Sequence, residues 1–174
     1  MNITTWSVIK QRPHPQVTLT IGDVLLELLA LAALVCCFAI VGAAWSRLPE
    51  TIPMHFNLKG AVDGYGGKSS VLYLPLVAAG LYILLTILNH YPRLYNYPVE
   101  ITGENAQIQY RLATRFMRLL KFEVVLIFAF LECLVTASAL DGQLRSAALL
   151  FLPVSLVAVA GSGGYFIFRS VKAK

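Results

Sequence analysis

The sequence predicts an all-α integral membrane protein, a bundle of four transmembrane helices with a structured outer loop and an amphipathic inner segment. Three observations support this fold class. Hydrophobic residues make up 57% of the 174 residues and charged residues only 13%, whereas an ordinary soluble domain is about 45–50% apolar and about 25% charged. The apolar residues fall in four long blocks, and most basic residues lie outside the blocks. This composition argues against a soluble enzyme, a disordered tail and a coiled coil.

The four blocks predict the positions of the helices. About 20 helical residues cross a hydrocarbon core of about 30 Å, and lipid offers no partner to an unpaired backbone group, so each block must span as a helix. The first block is expected to be a retained helix and not a cleaved signal peptide. We predict an N-terminal arm at 1–21, a transmembrane domain at 22–168 with helices at about 22–45, 71–91, 116–140 and 147–168, and a tail at 169–174.

The basic residues predict the orientation. Most of the 14 Lys and Arg residues flank the loop 92–115 and the two ends of the chain, while Arg47, Lys59, Lys68 and Arg145 lie on the other side. The positive-inside rule therefore predicts cytoplasmic termini and an outer loop at 46–70. The net charge of +5 is expected to orient the chain and to contact anionic lipid headgroups, and no nucleic acid partner is expected.

The inner loop 92–115 ends in an amphipathic segment. Thr102 or Asn105 is a suitable N-cap. From Glu104 onward, apolar residues recur on one helical face, and the opposite face carries Arg111, Arg115 and Arg118. We expect a surface helix that runs into the third transmembrane helix.

Two features of the apolar blocks are expected to serve packing. The three cysteines, Cys36, Cys37 and Cys133, lie within the blocks and form neither a disulfide framework nor a zinc motif, so no metal and no cofactor is expected. In the fourth block, the run of small residues at 161–164 predicts close packing against another helix.

The outer loop contains the most specific motif of the chain. Residues 48–68 read LPETIPMHFNLKGAVDGYGGK. This stretch resembles the signature LPxxIPxHFNxxGxxDGxGxK of a bacterial membrane family of unknown function. The best-known relatives in that family are the Sdp-type immunity proteins, which protect a cell from its own secreted toxin and take part in signalling. The resemblance implies a multi-pass protein of the bacterial cytoplasmic (inner) membrane with a role of the immunity or signalling type.

Four side chains make this loop a predicted binding site for a ligand or partner: His55, Asn57, Asp63 and Lys68. Together they offer an acid/base group, an amide, a carboxylate and a cation. Three interpretations remain open: a cap whose polar groups satisfy the turns of the loop, a surface that binds a peptide or protein, and a metal or acid/base pair of His55 and Asp63. A catalytic zinc site needs about three protein ligands. A turn is expected at Asp63–Gly64.

Other polar residues lie within or beside the blocks. Ionisable groups at membrane depth are costly and suggest function, which singles out Glu27, Glu123 and Glu132. Glu27 and Asp23 are expected either to reach the membrane surface or to pair with Arg115, Arg118 or Lys121. Glu132 is expected on the opposite helical face from Glu123, with a partner subunit as one source of a cation. A further group, Asn89, His90 and Arg93, is predicted to contact a lipid headgroup.

The motifs of nucleotide-binding and hydrolytic enzymes are absent from the sequence, which favours a non-enzymatic protein. The first hypothesis is a protein of the immunity or signalling type that recognises a peptide or protein through the loop 46–70. The alternatives are an accessory subunit of a larger bacterial membrane complex and, third, a lipid- or peptide-directed enzyme or transporter. The expected partners are the bilayer, a peptide or protein ligand, and either companion subunits or further copies of the chain.

Overall fold

The computed structural model describes residues 12–14, 16–57, 62–141 and 147–174. Within these ranges it contains four helices, each with an apolar stretch long enough to cross a membrane, so the predicted four-helix membrane bundle is confirmed. The elements are α1 (Ile21–Ala44), β1 (Thr51–Phe56), β2 (Val62–Gly67), α2 (Tyr73–Asn89), α3 (Ala106–Asp141) and α4 (Ala147–Lys172). The strands close one end of the bundle, called the hairpin end. Residues 12–14, 16–20, 90–105 and 169–174 lie at the other, called the terminal end.

The helix α3 is the centre of the bundle. It packs against α1, α2 and α4, while α4 packs mainly against α3. With 36 residues, α3 is about 54 Å long, which exceeds a hydrocarbon core of about 30 Å. The helix begins at Ala106, inside the range 92–115 that the sequence assigned to a loop, because no helix-breaking residue separates the amphipathic segment from the apolar one.

The start of α1 is fixed by a capping box. The Thr20 hydroxyl accepts from the Asp23 backbone N–H at 3.3 Å, and the Asp23 carboxylate accepts from the Thr20 N–H at 2.8 Å. These two bonds satisfy backbone donors that every helix leaves unpaired at its first turn. They also give the buried Asp23 a structural role at the membrane boundary.

The hairpin is anchored through one apolar side chain and shaped by two bulges. Ile52 is fully buried and completes a cluster that links β1 to the end of α1, with Val41, Ala44, Leu48 and Val71. The pairing sets Pro53 opposite Tyr65, His55 opposite Gly64 and Phe56 opposite Val62, which leaves Met54 and Asp63 as the extra residues. Bulges of this kind redirect side chains.

The predicted turn at Asp63–Gly64 is wrong, since both residues lie in β2. Gly64 is needed for a close approach instead: a Cβ added there would lie 3.0 Å from the His55 Cβ. The residues that join the strands at 58–61 lie outside the described ranges.

Gly66 is expected to be the most constrained glycine of the hairpin. An added Cβ would lie 2.7 Å from Met54 Cγ and 2.9 Å from Ser70 Oγ, whereas one added at Gly67 meets no atom within 4 Å. We expect Gly66→Ala to lower the free energy of unfolding by about 1–3 kcal/mol through overpacking, and Gly67→Ala to have little effect. Detergent-solubilised melting curves of the two variants test this. Equal melting temperatures would contradict the prediction.

The small residues of α4 do not serve the packing predicted for them. A Cβ added at Gly161 or Gly164 meets no described atom within 4 Å, and one added at Gly163 only touches Phe116 at 3.8 Å. Stacked rings join the two helices instead: Phe116 with Phe166, at 4.9 Å between centroids, and Phe130 with Phe151, at 3.6 Å. The expectation of close packing through residues 161–164 is therefore wrong for contacts within the described chain.

Candidate functional site

The exposed face of the hairpin carries a histidine–carboxylate pair. His55 Nδ1 contacts Asp63 Oδ1, and the side chains are 72% and 42% exposed. Asp63 is brought beside His55 by its bulge, and Tyr65, two residues further along β2, is 67% exposed. A pair this open contributes only about 0–1 kcal/mol to stability. Its imidazole and carboxylate are therefore available to a molecule that approaches the hairpin end.

Lys68 lies at the base of the hairpin, beside Glu50 and Trp45. Lys68 Nζ lies 3.9 Å from Glu50 Oε1 and 5.4 Å from the centroid of the Trp45 ring. Its backbone N–H also donates to the Glu50 carbonyl at 2.9 Å, so Lys68 holds the base of the hairpin against the end of α1. Asn57 directly follows β1 and is exposed.

The hairpin also covers a cavity of about 230 Å³. Its walls come from β1, α2 and α3, and include Met54, Tyr73, Leu74 and Glu132. Glu132 is fully buried; one carboxylate oxygen accepts from the Thr136 hydroxyl at 2.7 Å, and the other has no hydrogen-bond partner among the described residues. Glu132 therefore faces the interior of the bundle, at the wall of this cavity.

No three potential metal ligands come together in the parts of the chain that the structure describes. His55 and Asp63 form a pair without a third His, Cys, Asp or Glu beside them. At the surface, this pair can donate and accept hydrogen bonds and can attract a charged group.

A second polar site lies within the bundle, near the terminal end. Lys121 Nζ donates to Glu27 Oε2 at 2.5 Å, and Arg118 Nε lies 3.3 Å from Glu27 Oε1. Arg118 also lies 3.7 Å from Asp23 Oδ1. Two cations on α3 thus face two carboxylates on α1, and their charges balance. We call Asp23, Glu27, Arg118 and Lys121 the ion cluster.

The helix α2 supplies neutral partners to the ion cluster. Lys121 Nζ donates to the Thr86 hydroxyl at 2.8 Å and lies 4.7 Å from the centroid of the Tyr82 ring. The Asn89 side-chain nitrogen donates to the Thr114 carbonyl at 3.1 Å. In this orientation, the Asn89 side-chain oxygen accepts from Arg118 Nε at 3.3 Å. The cluster therefore ties α1, α2 and α3 together.

The two buried cations bear on two predictions. Pairing of Asp23 and Glu27 with Arg115, Arg118 or Lys121 was one of two expectations, and the structure shows the pairing with Arg118 and Lys121. Arg118 was also expected to share the polar helical face of Arg111 and Arg115, which is corrected. Arg118 is only 8% exposed and Lys121 only 1%, while Arg111 and Arg115 are exposed. A charge pattern in one helix cannot reveal which side a neighbouring helix will cover. The sequence feature that indicated the burial of Arg118 and Lys121 was the pair of acids on α1.

Glu123 faces α4 and not the ion cluster. Its carboxylate accepts from the Ser162 hydroxyl at 3.0 Å. Glu123 and Glu132 therefore contact different surroundings, in line with the nine residues that separate them.

The three residues predicted to hold a headgroup do not form one site. Asn89 is directed at Arg118, and His90 Nδ1 lies 2.8 Å from the Thr86 carbonyl at the end of α2. Arg93 lies beside the N-terminal arm: Arg12 Nη1 donates to its carbonyl at 2.7 Å, and its guanidinium lies 3.5 Å from His14 Nδ1.

The N-terminal arm is held by an aromatic group at the terminal end. The Tyr110 hydroxyl donates to the Pro13 carbonyl at 3.0 Å, and Arg12 lies 5.4 Å from the centroid of the Tyr97 ring. Burial raises the pKa of Tyr95 to about 12 and also raises the pKa of Tyr97. Both phenols therefore stay protonated and donate to backbone carbonyls, Tyr95 to Leu88 at 3.0 Å and Tyr97 to Pro92 at 2.9 Å.

Gln109 is an important residue that sequence reasoning missed. It is fully buried, and its amide nitrogen donates to the carbonyls of Ser170 at 2.9 Å and Ala173 at 3.0 Å. The Ser170 hydroxyl donates back to the Gln109 side-chain oxygen. A neutral glutamine in an amphipathic helix carries no periodic signal, so nothing in the sequence distinguished it from its exposed neighbour Gln107.

Comparisons with known proteins find a family match that includes the hairpin. A family model described as a domain of unknown function (DUF1648) matches residues 32–79, which cover the second half of α1, the hairpin and the start of α2. An uncharacterised protein of the archaeon Archaeoglobus fulgidus is 36% identical over 62 residues, covering 31% of this chain and 34% of that protein. The chain thus spans about a third of the length of this curated relative. No solved structure matches.

Proposed function

We propose that this multi-pass membrane protein is a non-enzymatic protein of the immunity or signalling type, which recognises a peptide or protein at its hairpin end. The observation that carries the proposal is the exposed pair of His55 and Asp63 on an anchored hairpin. Its polar groups are left at the surface, while Ile52 and Lys68 hold the hairpin to the bundle. The distribution of basic residues supports an outward-facing hairpin end and cytoplasmic termini.

The surroundings of the pair suit recognition of a peptide. Tyr65, which is 67% exposed, adds an aromatic contact near the histidine–carboxylate pair, and Met54, which is 38% exposed, adds a flexible apolar contact at the cavity. Tyrosine is enriched among the residues that dominate binding energies, and methionine adapts to varied partners. The cavity under Met54 offers space for one side chain of the ligand, with the Glu132 carboxyl at its wall.

A photo-crosslinking amino acid at position 65, introduced in the native host, tests the proposal. We expect a discrete peptide or protein adduct, and we expect its loss in the His55→Ala/Asp63→Ala background. Because an exposed ion pair contributes only about 0–1 kcal/mol, that variant should keep its membrane level and melting temperature. The same photo-crosslinker at Tyr91, which is 55% exposed at the terminal end, is the matched control. An adduct that persists without the pair would contradict the proposal.

An accessory subunit of a larger bacterial membrane complex is the second candidate. The observation that favours it is the unused surface of α4, where Gly161 and Gly164 are exposed and meet no neighbouring side chain. Small residues of this kind let a second membrane helix approach closely. Native mass spectrometry of the wild type and of Gly161→Leu/Gly164→Leu distinguishes the candidates. Stoichiometric companions that are lost in the variant would favour the accessory subunit.

A further inference from the structure

A groove between α1 and α4 runs along α3 near the terminal end. Both helices pack on α3, and the space left between them has a volume of about 360 Å³. Its walls are apolar, formed mainly by Leu25 and Leu29 of α1, Phe116 and Leu119 of α3, and Phe166 of α4. Leu25 and Leu29 are about half exposed, at 53% and 48%. The groove is therefore open to the bilayer.

Two arginines line the groove at its terminal end. Arg115 comes from α3 and Arg169 from the last turn of α4, and both are exposed. Arg115 reaches the first turn of α1, since a Cβ added at Gly22 would lie 3.0 Å from its Nη2. Arg169 donates to the Tyr165 hydroxyl at 2.9 Å. Within the described ranges, neither guanidinium has a carboxylate at salt-bridge distance.

The nearby acids are already engaged. Asp23 is held by Thr20 and lies 3.7 Å from Arg118, and Glu27 contacts Arg118 and Lys121. The basic residues of α3 thus divide into two buried ones that are paired with α1 and two exposed ones, Arg111 and Arg115, of which Arg115 lines the groove. The mouth of the groove carries two positive charges above an apolar channel.

We propose that this groove binds one anionic phospholipid, with its phosphate between Arg115 and Arg169 and an acyl chain along Leu29, Leu119 and Phe166. Charge complementarity decides the occupant: two guanidiniums at headgroup level match a phosphate without a compensating ammonium. The apolar walls run for about 10 Å along α1, from Gly22 to Leu29, which accommodates the upper part of an acyl chain. This site is independent of the proposed recognition at the hairpin end.

Native mass spectrometry of the full chain, equilibrated with phosphatidylglycerol and phosphatidylcholine of matched acyl chains, tests the proposal. We expect one bound phosphatidylglycerol per chain. One basic residue near an anionic lipid is worth about a fivefold change in affinity, so Arg115→Gln and Arg169→Gln should each weaken the preference about fivefold. Arg111→Gln, an exposed arginine of α3 that does not line the groove, is the matched control and should keep the preference.

A second variant tests the acyl chain separately from the phosphate. Leu29→Trp should fill the groove and displace the lipid, while the melting temperature in the absence of added lipid stays unchanged. Equal loss in Arg111→Gln would overturn the proposal in favour of general surface charge. If inorganic phosphate at the same concentration displaces phosphatidylglycerol, the groove binds anions in general and the proposal of a phospholipid site is overturned. If the wild type is a dimer that dissociates in Leu29→Trp, the occupant of the groove is a second copy of the chain, and the proposal is overturned.

Discussion

Glu27→Gln is expected to lower the free energy of unfolding by about 3–5 kcal/mol, the cost of breaking a buried ion pair. The substitution leaves Lys121, which is 1% exposed, and Arg118, which is 8% exposed, without the carboxylate that both contact. The Thr86 hydroxyl and the Tyr82 ring remain near Lys121, but neither carries a charge. Unfolding in mixtures of mild detergent and SDS, followed by circular dichroism, gives the free energy.

The matched control is Glu123→Gln. This carboxylate also lies in a membrane-spanning part of α3, but its described partner is the Ser162 hydroxyl, so a neutral amide should replace it at a cost of about 1 kcal/mol or less. The double variant Glu27→Gln/Lys121→Met should recover about half or more of the lost stability, because it removes one stranded cation. Equal effects of Glu27→Gln and Glu123→Gln would contradict the importance of the ion cluster.

Gln109→Leu is expected to lower the free energy of unfolding by about 2–4 kcal/mol. It removes the side chain that binds the carbonyls of Ser170 and Ala173 and the hydroxyl of Ser170. Each buried polar group left without a partner costs about 1–3 kcal/mol. The effect should be local, with earlier proteolysis after Arg169 or Lys172 than in the wild type.

Gln107→Leu serves as the control for this prediction. Gln107 lies two residues away and donates to the Gln16 carbonyl at 2.5 Å in an exposed position. Loss of one exposed hydrogen bond should cost about 1 kcal/mol or less and should leave proteolysis of the C-terminal residues unchanged. A Gln109→Leu protein as resistant as Gln107→Leu would show that α4 does not depend on this contact.

The sequence predicted the elements whose physical signal is local. Four long apolar blocks require spanning helices, and α1 and α2 begin and end within about three residues of the blocks that predicted them. The length of α3 was less predictable, because an amphipathic stretch can be a separate surface helix or the start of a spanning one. Glycine at position 64 also has two uses, in a turn and in a close approach, and only the pairing with His55 distinguishes them.

The polar contacts between helices depend on information that no single segment carries. Pairing of Arg118 and Lys121 with the acids of α1 was one of two expectations, and the sequence alone did not decide it because those acids lie 91 to 95 residues earlier in the chain. Lys121 finds Glu27 across 94 residues, and Gln109 finds Ser170 across 61. The hairpin pair was more accessible to prediction, because His55 and Asp63 are eight residues apart within one motif.

The attachment of α4 to α3 bears on the order in which the protein is made. The hairpin cluster and the ion cluster use only residues before Asp141, so a ribosome that has released α3 has already supplied every side chain of both. Glu123 and Gln109 have their described partners, Ser162 and Ser170, only after α4 has been synthesised. A nascent chain that stops before α4 would therefore present two unsatisfied polar side chains to lipid or to the insertion machinery. These side chains would distinguish a chain without α4 from one that contains it.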